Sequence, residues 1–165
     1  MVELQFYKKA DFPFLNYFLD DVQRLYTALP CQALARIEER NDGLAFPITI
    51  WENGKQVGFF VLDFGADKLE LSDNQHSVLL RSFSVNPEFQ GKGIGKRAMQ
   101  KLEFFIQTNF PDCNEVTLAV NKNNTSAYKL YLQQGCVDEG NTRMGRSGQQ
   151  ILMSKSLPTI QIFAE

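Results

Sequence analysis

Val85-Asn86-Pro87-Glu88-Phe89-Gln90-Gly91-Lys92-Gly93-Ile94-Gly95-Lys96 is the stretch on which the reading of this chain turns. It follows Ser77–Val85, a run rich in apolar and β-branched residues that reads as a strand. It leads into the longest helical pattern of the chain, Gly93–Phe110, where Ile94, Ala98, Leu102, Phe105 and Ile106 recur at helical spacing and Pro111 ends the run. Three glycines at alternate positions, Gly91, Gly93 and Gly95, let the backbone turn tightly and come close to a ligand. The free N–H groups of the helix start then point into the turn, and the helix dipole favours an anion there. Lys92, Lys96 and Arg97 add positive charge. The chemistry is that of a pyrophosphate cradle; the plainer alternative is a glycine-rich helix start with solvated lysines.

Outward from this segment, the chain reads as alternating strands and helices. Val2–Tyr7 is a first strand. Asp11 can cap a helix to about Leu19, with Pro13 tolerated in its first turn. Cys31–Arg40 is a second helix stopped by Asn41-Asp42-Gly43. Phe46–Trp51 and Gln56–Phe64 form a hairpin, because Asn53-Gly54 supplies the positive φ angles of a tight turn. Ala66–Gln75 is a polar excursion. Val116–Val120 is a strand, Asn124–Gln134 a helix closed by Gly135, and Gln150–Ser154 a last strand, with Asp138–Gln149 as a loop. Taken in order, strand, two helices, three strands, helix, strand, helix and two strands describe a mixed α/β domain.

Composition sets outer bounds. The 165 residues match one domain, and a chain of that size buries roughly 70% of its unfolded surface without needing cross-links. Apolar residues are 44% and charged residues 22%, which excludes a disordered chain; the 14 Phe indicate a bulky core or an apolar groove. Seventeen Lys and Arg against 19 Asp and Glu leave a formal charge of −2, with no electrostatic footprint for nucleic acid. The three cysteines, Cys31, Cys113 and Cys136, are odd in number and far apart, as expected of reduced thiols in a cytoplasmic protein. With His76 as the one histidine, a metal site is not expected. No apolar run is long enough to cross a bilayer, and the start lacks the pattern of a signal peptide, so no membrane partner is expected.

The common nucleotide motifs do not fit the cradle. A Walker loop needs Gly-Lys-Ser/Thr after Gly and four residues, and the fifth residue after Gly91 is Lys96. A dinucleotide fingerprint needs a third glycine where Lys96 stands, in a βαβ unit that usually opens the fold. Gln90–Gly95 instead matches Q/R-x-x-G-x-G/A, and Asn124-Thr125-Ser126-Ala127-Tyr128-Lys129-Leu130-Tyr131-Leu132-Gln133-Gln134-Gly135 matches N-x-x-A-x-x-L-Y-x-x-x-G. Two such motifs in this order resemble the GNAT superfamily of acyl-CoA-dependent N-acetyltransferases. The motifs cover about residues 80–136, and the element order extends the likeness from about residue 2 to 157.

The resemblance implies one N-acetyltransferase domain over residues 1–165: a single-domain GNAT-like α/β fold with a mixed, mostly antiparallel sheet, flanking helices and splayed central strands. It implies acetyl-CoA as co-substrate and no metal. The pantetheine arm would lie between the splayed strands, bonded to the backbones of Phe83 and Val85. The pyrophosphate would rest on N–H groups of Gln90, Gly91, Lys92, Gly93, Ile94, Gly95 and Lys96. Asn124 would cap its helix and hold the pantetheine arm. Tyr131 matches the family's usual general acid: a phenol of pKa about 10 can protonate or hydrogen-bond a leaving thiolate without being ionised at pH 7. Tyr128, one turn earlier, is the competitor.

The sequence departs from the family pattern twice. Cys136 stands where an aromatic is usual and reads as core. Ser77–Ser82 carries no carboxylate where many relatives place a general base. Glu52, Asp63, Asp73 and His76 are the candidates, or the enzyme has no dedicated base and captures the neutral fraction of the amine. The acceptor would enter opposite the CoA, between the first two helices and the loop Asp138–Gln149, where Arg143 and Arg146 either clamp a carboxylate or are merely solvated. The expected activity is acetyl transfer to a primary amine, a small molecule such as a polyamine, in the style of bacterial relatives that acetylate small amines. Acetylation of a protein or peptide is the alternative, as is a non-catalytic acyl-CoA-binding module. Such folds are frequently homodimers.

Overall fold

A computed structural model describes residues 1–158. Seven strands form one open sheet in the order β1-β2-β3-β4-β5-β7-β6: β1 (Val2–Phe6), β2 (Ala45–Glu52), β3 (Lys55–Asp63), β4 (Ser77–Val85), β5 (Glu115–Asn121), β6 (Val137–Gly145) and β7 (Gly148–Ser156). Every pairing is antiparallel except β4 with β5. That one parallel pair needs a long crossover, and α4 (Ile94–Asn109) supplies it. The other helices are α1 (Phe12–Leu15), α2 (Asp21–Tyr26), α3 (Pro30–Arg40) and α5 (Thr125–Gln133).

The sheet is covered on both faces, and β3 shows it in its sequence. Val57, Phe60 and Leu62 join the larger cluster, with Ile94, Ala98, Met99, Leu102 and Ile106 of α4. Phe59 and Val61 point the other way, against Leu15 and Ala33. A strand buried on both faces loses the alternation of polar and apolar residues. Each large side chain buried in this way contributes ~1.5–3 kcal/mol. The β2–β3 turn has Asn53 at φ 49° and Gly54 at φ 78°, as the Asn-Gly pair requires.

Two expectations are corrected. The helix expected from Asp11 to about Leu19 is instead a 3-10 turn (Lys9–Asp11), the short α1, and a separate α2 capped by Asp20, whose Oδ1 accepts the Gln23 N–H at 2.8 Å. Asp11 is buried, and its carboxylate accepts from Thr49 Oγ1 at 2.9 Å and Gln56 Nε2 at 3.1 Å, so it ties this segment to the sheet. The loop expected over Asp138–Gln149 is mostly strand: β6 occupies it to Gly145 and a tight turn leads into β7. As an outer strand β6 exposes most of its residues, so no apolar alternation marks it.

Candidate active site

The site begins where two strands part. β4 and β5 pair only from Ser77 with Glu115 to Leu79 with Thr117. Beyond that point β4 keeps only β3 as neighbour and β5 only β7. The gap is a cleft of about 630 Å³, walled by Leu80–Val85 and Leu118–Asn121, with α2 on one side and the start of α5 on the other.

The edge of β4 is shaped by a bulge. Phe59 pairs with Ser84 and Val61 with Arg81, so Phe60 faces two residues, Ser82 and Phe83, neither of which has a register partner. Ser82 sits at φ 57°, an uncommon conformation for a residue other than glycine. Farther along, the Asn86 N–H donates to the Val57 carbonyl at 2.8 Å. Antiparallel pairs alternate, so Val85, one residue earlier, turns its N–H and C=O away from β3 and toward the cleft. The Val85 carbonyl also accepts from Gln90 Nε2 at 2.9 Å, and Gln90 Oε1 accepts from Gln23 Nε2 at 3.0 Å, which joins α2 to the glycine loop. The Phe83 ring stacks on Phe60 at 5.7 Å between centroids.

The loop itself opens onto solvent. Gly91 and Gly93 have φ 77° and 76°, and a Cβ on Gly91 would meet nothing within 4 Å. A Cβ on Gly95 would rest 3.6 Å from Leu130 and 3.7 Å from Phe83, ordinary contacts, so packing alone does not demand glycine there. The first helical bond runs from the Arg97 N–H to the Gly93 carbonyl. The N–H groups of Ile94, Gly95 and Lys96 precede it and have no partner within the helix. The Gln90 N–H is engaged, donating to the Pro87 carbonyl at 3.3 Å. Gln90, Gly91 and Gly95 line the cleft; Lys92, Gly93 and Lys96 are exposed outside its lining, and the Ile94 side chain is buried in the core. Arg97 braces the loop from beneath: it pairs with Glu52, and its guanidinium donates to the carbonyls of Lys92 at 2.7 Å and Gly93 at 3.3 Å.

The two tyrosines of α5 separate cleanly. Tyr131 lines the cleft, and its hydroxyl has no hydrogen bond to the protein among the described residues. Burial raises its pKa, with the neighbouring Cys136 adding to the effect, so it is a neutral hydrogen-bond donor. Tyr128 lies outside the lining and donates its hydroxyl to Asp138 Oδ2 at 2.8 Å. Asn124 caps α5, its Oδ1 accepting from the Ala127 N–H at 3.4 Å, and it lines the cleft as well.

None of the four candidate bases lines this cleft. Glu52 is paired with Arg97. Asp63 is buried, which pushes its pKa up, but Arg40 at 2.7 Å, the Gly65 N–H and Arg81 at 3.1 Å outweigh that and hold it below the usual carboxylate range. Asp73 on the polar excursion and His76 just before β4 are both exposed.

A second cavity of about 410 Å³ shares Tyr26, Thr27, Leu80, Arg81, Ser82 and Ala119 with the cleft. It lies between the end of α2, α3 and the β6–β7 hairpin; of the elements expected around an acceptor, the second helix and the Asp138–Gln149 segment meet there, whereas no residue of the first expected helix, 11–19, lines it. Arg143 is anchored, donating to Glu70 at 2.9 Å and Gln150 at 2.8 Å. Arg146 donates to the Arg24 carbonyl at 3.3 Å. On the wall between the two cavities Thr27 Oγ1 is buried without a hydrogen-bond partner, a costly state unless a ligand or water pairs with it. The Ser82 bulge, Thr27, and the second cavity's Arg36, Asp67, Glu70 and Arg81 carry no local sequence signal, because only the fold brings them together.

Comparison with known proteins agrees with this architecture. The profile of the Acetyltransferase (GNAT) family matches residues 5–136. The chain is 35% identical over 157 residues to the uncharacterized N-acetyltransferase YbbJ of Bacillus subtilis, covering 92% of this chain and 95% of that one. Among solved structures, spermidine N-acetyltransferase from Vibrio cholerae in complex with CoA and spermine superposes with TM-score 0.69 at 18% identity, over 94% of this chain and 95% of that one. The ribosomal-protein-S18-alanine N-acetyltransferase of Escherichia coli superposes with TM-score 0.67 at 17% identity, over 100% and 99%. Splayed strands, glycine loop and a matching profile over most of its length place the chain in the GNAT family of acetyltransferases.

Proposed function

We propose that this chain, acting as one domain over residues 1–165, moves an acetyl group from acetyl-CoA to the primary amine of a small acceptor. The observation that carries this reading is Tyr131, which lines the cleft that the parted strands open and whose hydroxyl has no hydrogen bond to the protein among the described residues.

Bound acetyl-CoA supplies a thioester, an electrophilic carbonyl whose leaving group is a thiolate. The protein's work is to hold and polarise it. The N–H groups of Ile94, Gly95 and Lys96 receive the pyrophosphate at the positive end of α4. Gly91 and Gly93 take left-handed angles that leave the approach clear, and Lys92 and Lys96 add charge at the rim. Val85 and Phe83 offer an open strand edge on which pantetheine amides can add like another strand. Asn124 keeps its Nδ2 for the same arm. Ser82, at the bulge and on the wall between the cavities, brings its backbone to the place where the thioester carbonyl oxygen would be polarised.

Tyr131 hydrogen-bonds the departing sulfur. Its raised pKa lies above that of an ordinary thiol, near 8.5, so full proton transfer to the thiolate is uphill and the hydrogen bond itself is the catalytic contribution. With no carboxylate or imidazole lining the cleft, the acceptor reacts from its neutral amine fraction; the C–N bond forms as the C–S bond breaks, and the proton that the nitrogen gives up passes through water to the departing thiolate, leaving amide and free thiol.

The polyamine acceptor draws support from the spermine bound to the Vibrio cholerae neighbour. The guanidiniums of the second cavity count against it. A protein acceptor draws support from the Escherichia coli neighbour, while a cavity of about 410 Å³ is on the scale of small-molecule sites. A cytoplasmic setting is consistent with three unpaired cysteines, and no helix among the described residues is long and apolar enough to cross a membrane. Thiol release from acetyl-CoA with a panel of polyamines, amino acids, aminoglycosides and short peptides tests the proposal. Acceptor-dependent release supports it; binding of acetyl-CoA with no release by any acceptor would leave a non-catalytic acyl-CoA-binding module.

A further inference from the structure

We propose that the acceptor carries an oxyanion, a carboxylate or phosphate ester, as well as its amine, and that Arg36 and Arg146 bind that group. This rests on the acetyltransferase reading above and concerns the second cavity of the same site.

The charges lining that cavity are unequal. Four guanidiniums, Arg36, Arg81, Arg143 and Arg146, face two carboxylates, Asp67 and Glu70. Both carboxylates are already matched: Asp67 with Arg81 at 3.0 Å and Glu70 with Arg143 at 2.9 Å. Arg81 is held further by the buried Asp63 at 3.1 Å. Arg36 and Arg146 have no carboxylate within 4 Å among the described residues, and Arg146 makes only its bond to the Arg24 carbonyl. Two cations therefore line the cavity without a counter-ion.

These two come from separate elements, α3 and the β6–β7 turn, so one helix's solvated face does not account for them. Guanidinium presents a planar fork of donors that fits the two oxygens of a carboxylate or phosphate. A polycation in the same space would meet two unpaired positive charges and find both carboxylates occupied. The cavity adjoins the cleft through Thr27 and Ser82, so an acceptor with its amine at that wall extends its other end toward the arginines.

The test uses acceptors of one chain length: 5-aminopentanoate, 5-aminopentyl phosphate, 5-aminopentanamide and pentane-1,5-diamine, with spermidine beside them. Thiol release should show kcat/KM for the better oxyanion at least about tenfold above the neutral amide, the scale of one hydrogen bond to a charged group, and the diamine and spermidine below the amide. Arg36→Gln and Arg146→Gln should each lower that oxyanion-to-amide ratio about tenfold, chiefly through KM, while calorimetric binding of CoA stays unchanged and Arg146→Lys restores part of the ratio. Which oxyanion leads tells carboxylate from phosphate. Turnover of the diamine or spermidine ahead of both oxyanions overturns the inference and leaves the acetyltransferase reading intact. So do Arg36→Gln and Arg146→Gln variants that both keep the ratio. If none of these five releases thiol, the wider amine panel above decides the function reading, and the anion claim is judged on binding alone. In the presence of CoA, 5-aminopentanoate or its phosphate analogue must then raise Tm more than spermidine, and the reverse order overturns it.

Discussion

Replacing Tyr131 by Phe removes one oxygen and keeps the ring. The hydroxyl has no protein partner among the described residues, so its loss leaves no unsatisfied group behind and Tm should move by no more than about 2 °C. Catalysis should respond differently. In the proposed mechanism the hydroxyl donates to a sulfur that is charged only as the C–S bond breaks, in a site where burial has already raised the phenol's pKa. A hydrogen bond to a charged partner is worth about 1.5–3 kcal/mol, and each ~1.4 kcal/mol is tenfold in rate. The turnover number should therefore fall by about 10²-fold while the calorimetric affinity for acetyl-CoA is unchanged, the pattern of an interaction made in the transition state. Tyr128→Phe is the control: its hydroxyl is engaged with Asp138 outside the cleft, and kcat should stay near normal. The assay is thiol release under saturating acetyl-CoA, with an acceptor and viscosity range in which chemistry limits the rate. Near-normal kcat for Tyr131→Phe under those conditions would remove Tyr131 from the mechanism.

Three further outcomes follow from named groups. Gly93→Val should weaken CoA binding at least tenfold by calorimetry, because a β-branched residue resists φ 76° and stands where the pyrophosphate approaches, whereas Gly95→Ala should leave Tm unchanged; normal CoA affinity in Gly93→Val would mean the loop is not the cradle. In the wild type kcat/KM should climb with pH in step with the neutral fraction of the acceptor amine, with no falling limb below about pH 10, since burial moves Tyr131 upward from there; a rising limb near pH 4 or 6.5 that does not move with the acceptor would reveal a protein base. Asp63 has a depressed pKa in the fold, so its contribution is full above the unfolded value of about 3.9 and is lost as pH falls through the lower folded one; chemical denaturation should show this acid loss, and Asp63→Asn should be less stable at pH 7 with a flatter profile below pH 4.

What could be read in advance follows from where the physical signal is local. The Ser77–Val85 strand is seen at those bounds because it is buried for most of its length. The glycine loop and the Asn53-Gly54 turn were legible because positive φ angles demand particular residues. β6 was hidden because an exposed strand has no apolar face to repeat, and Gly140 at φ 85° interrupts it further. The break between α1 and α2 was hidden because Phe12, Phe14, Leu15, Tyr17, Phe18 and Leu19 are apolar without a clear period, and only Leu15 and Leu19 are buried. Nothing in Ser82 marks the bulge, which arises from the register of β3 against β4. The cationic lining of the second cavity is assembled from residues 36, 81, 143 and 146 on four elements, so no window of sequence contains it. Two of the carboxylates named as candidate bases, Glu52 and Asp63, are taken up in ion pairs with Arg97, Arg40 and Arg81, which only the fold brings together.

In the proposed reaction an acetyl group passes from CoA to an amine nitrogen on this protein. That transfer is tested most directly by following acetyl-CoA labelled in its acetyl carbons, with an accepted amine, through one turnover by mass spectrometry. The label should leave CoA only when the amine is present and appear on the amine nitrogen as an amide, in equal amount to the thiol released. Label that remains on CoA, or appears as free acetate whether or not the amine is there, would contradict the proposed reaction.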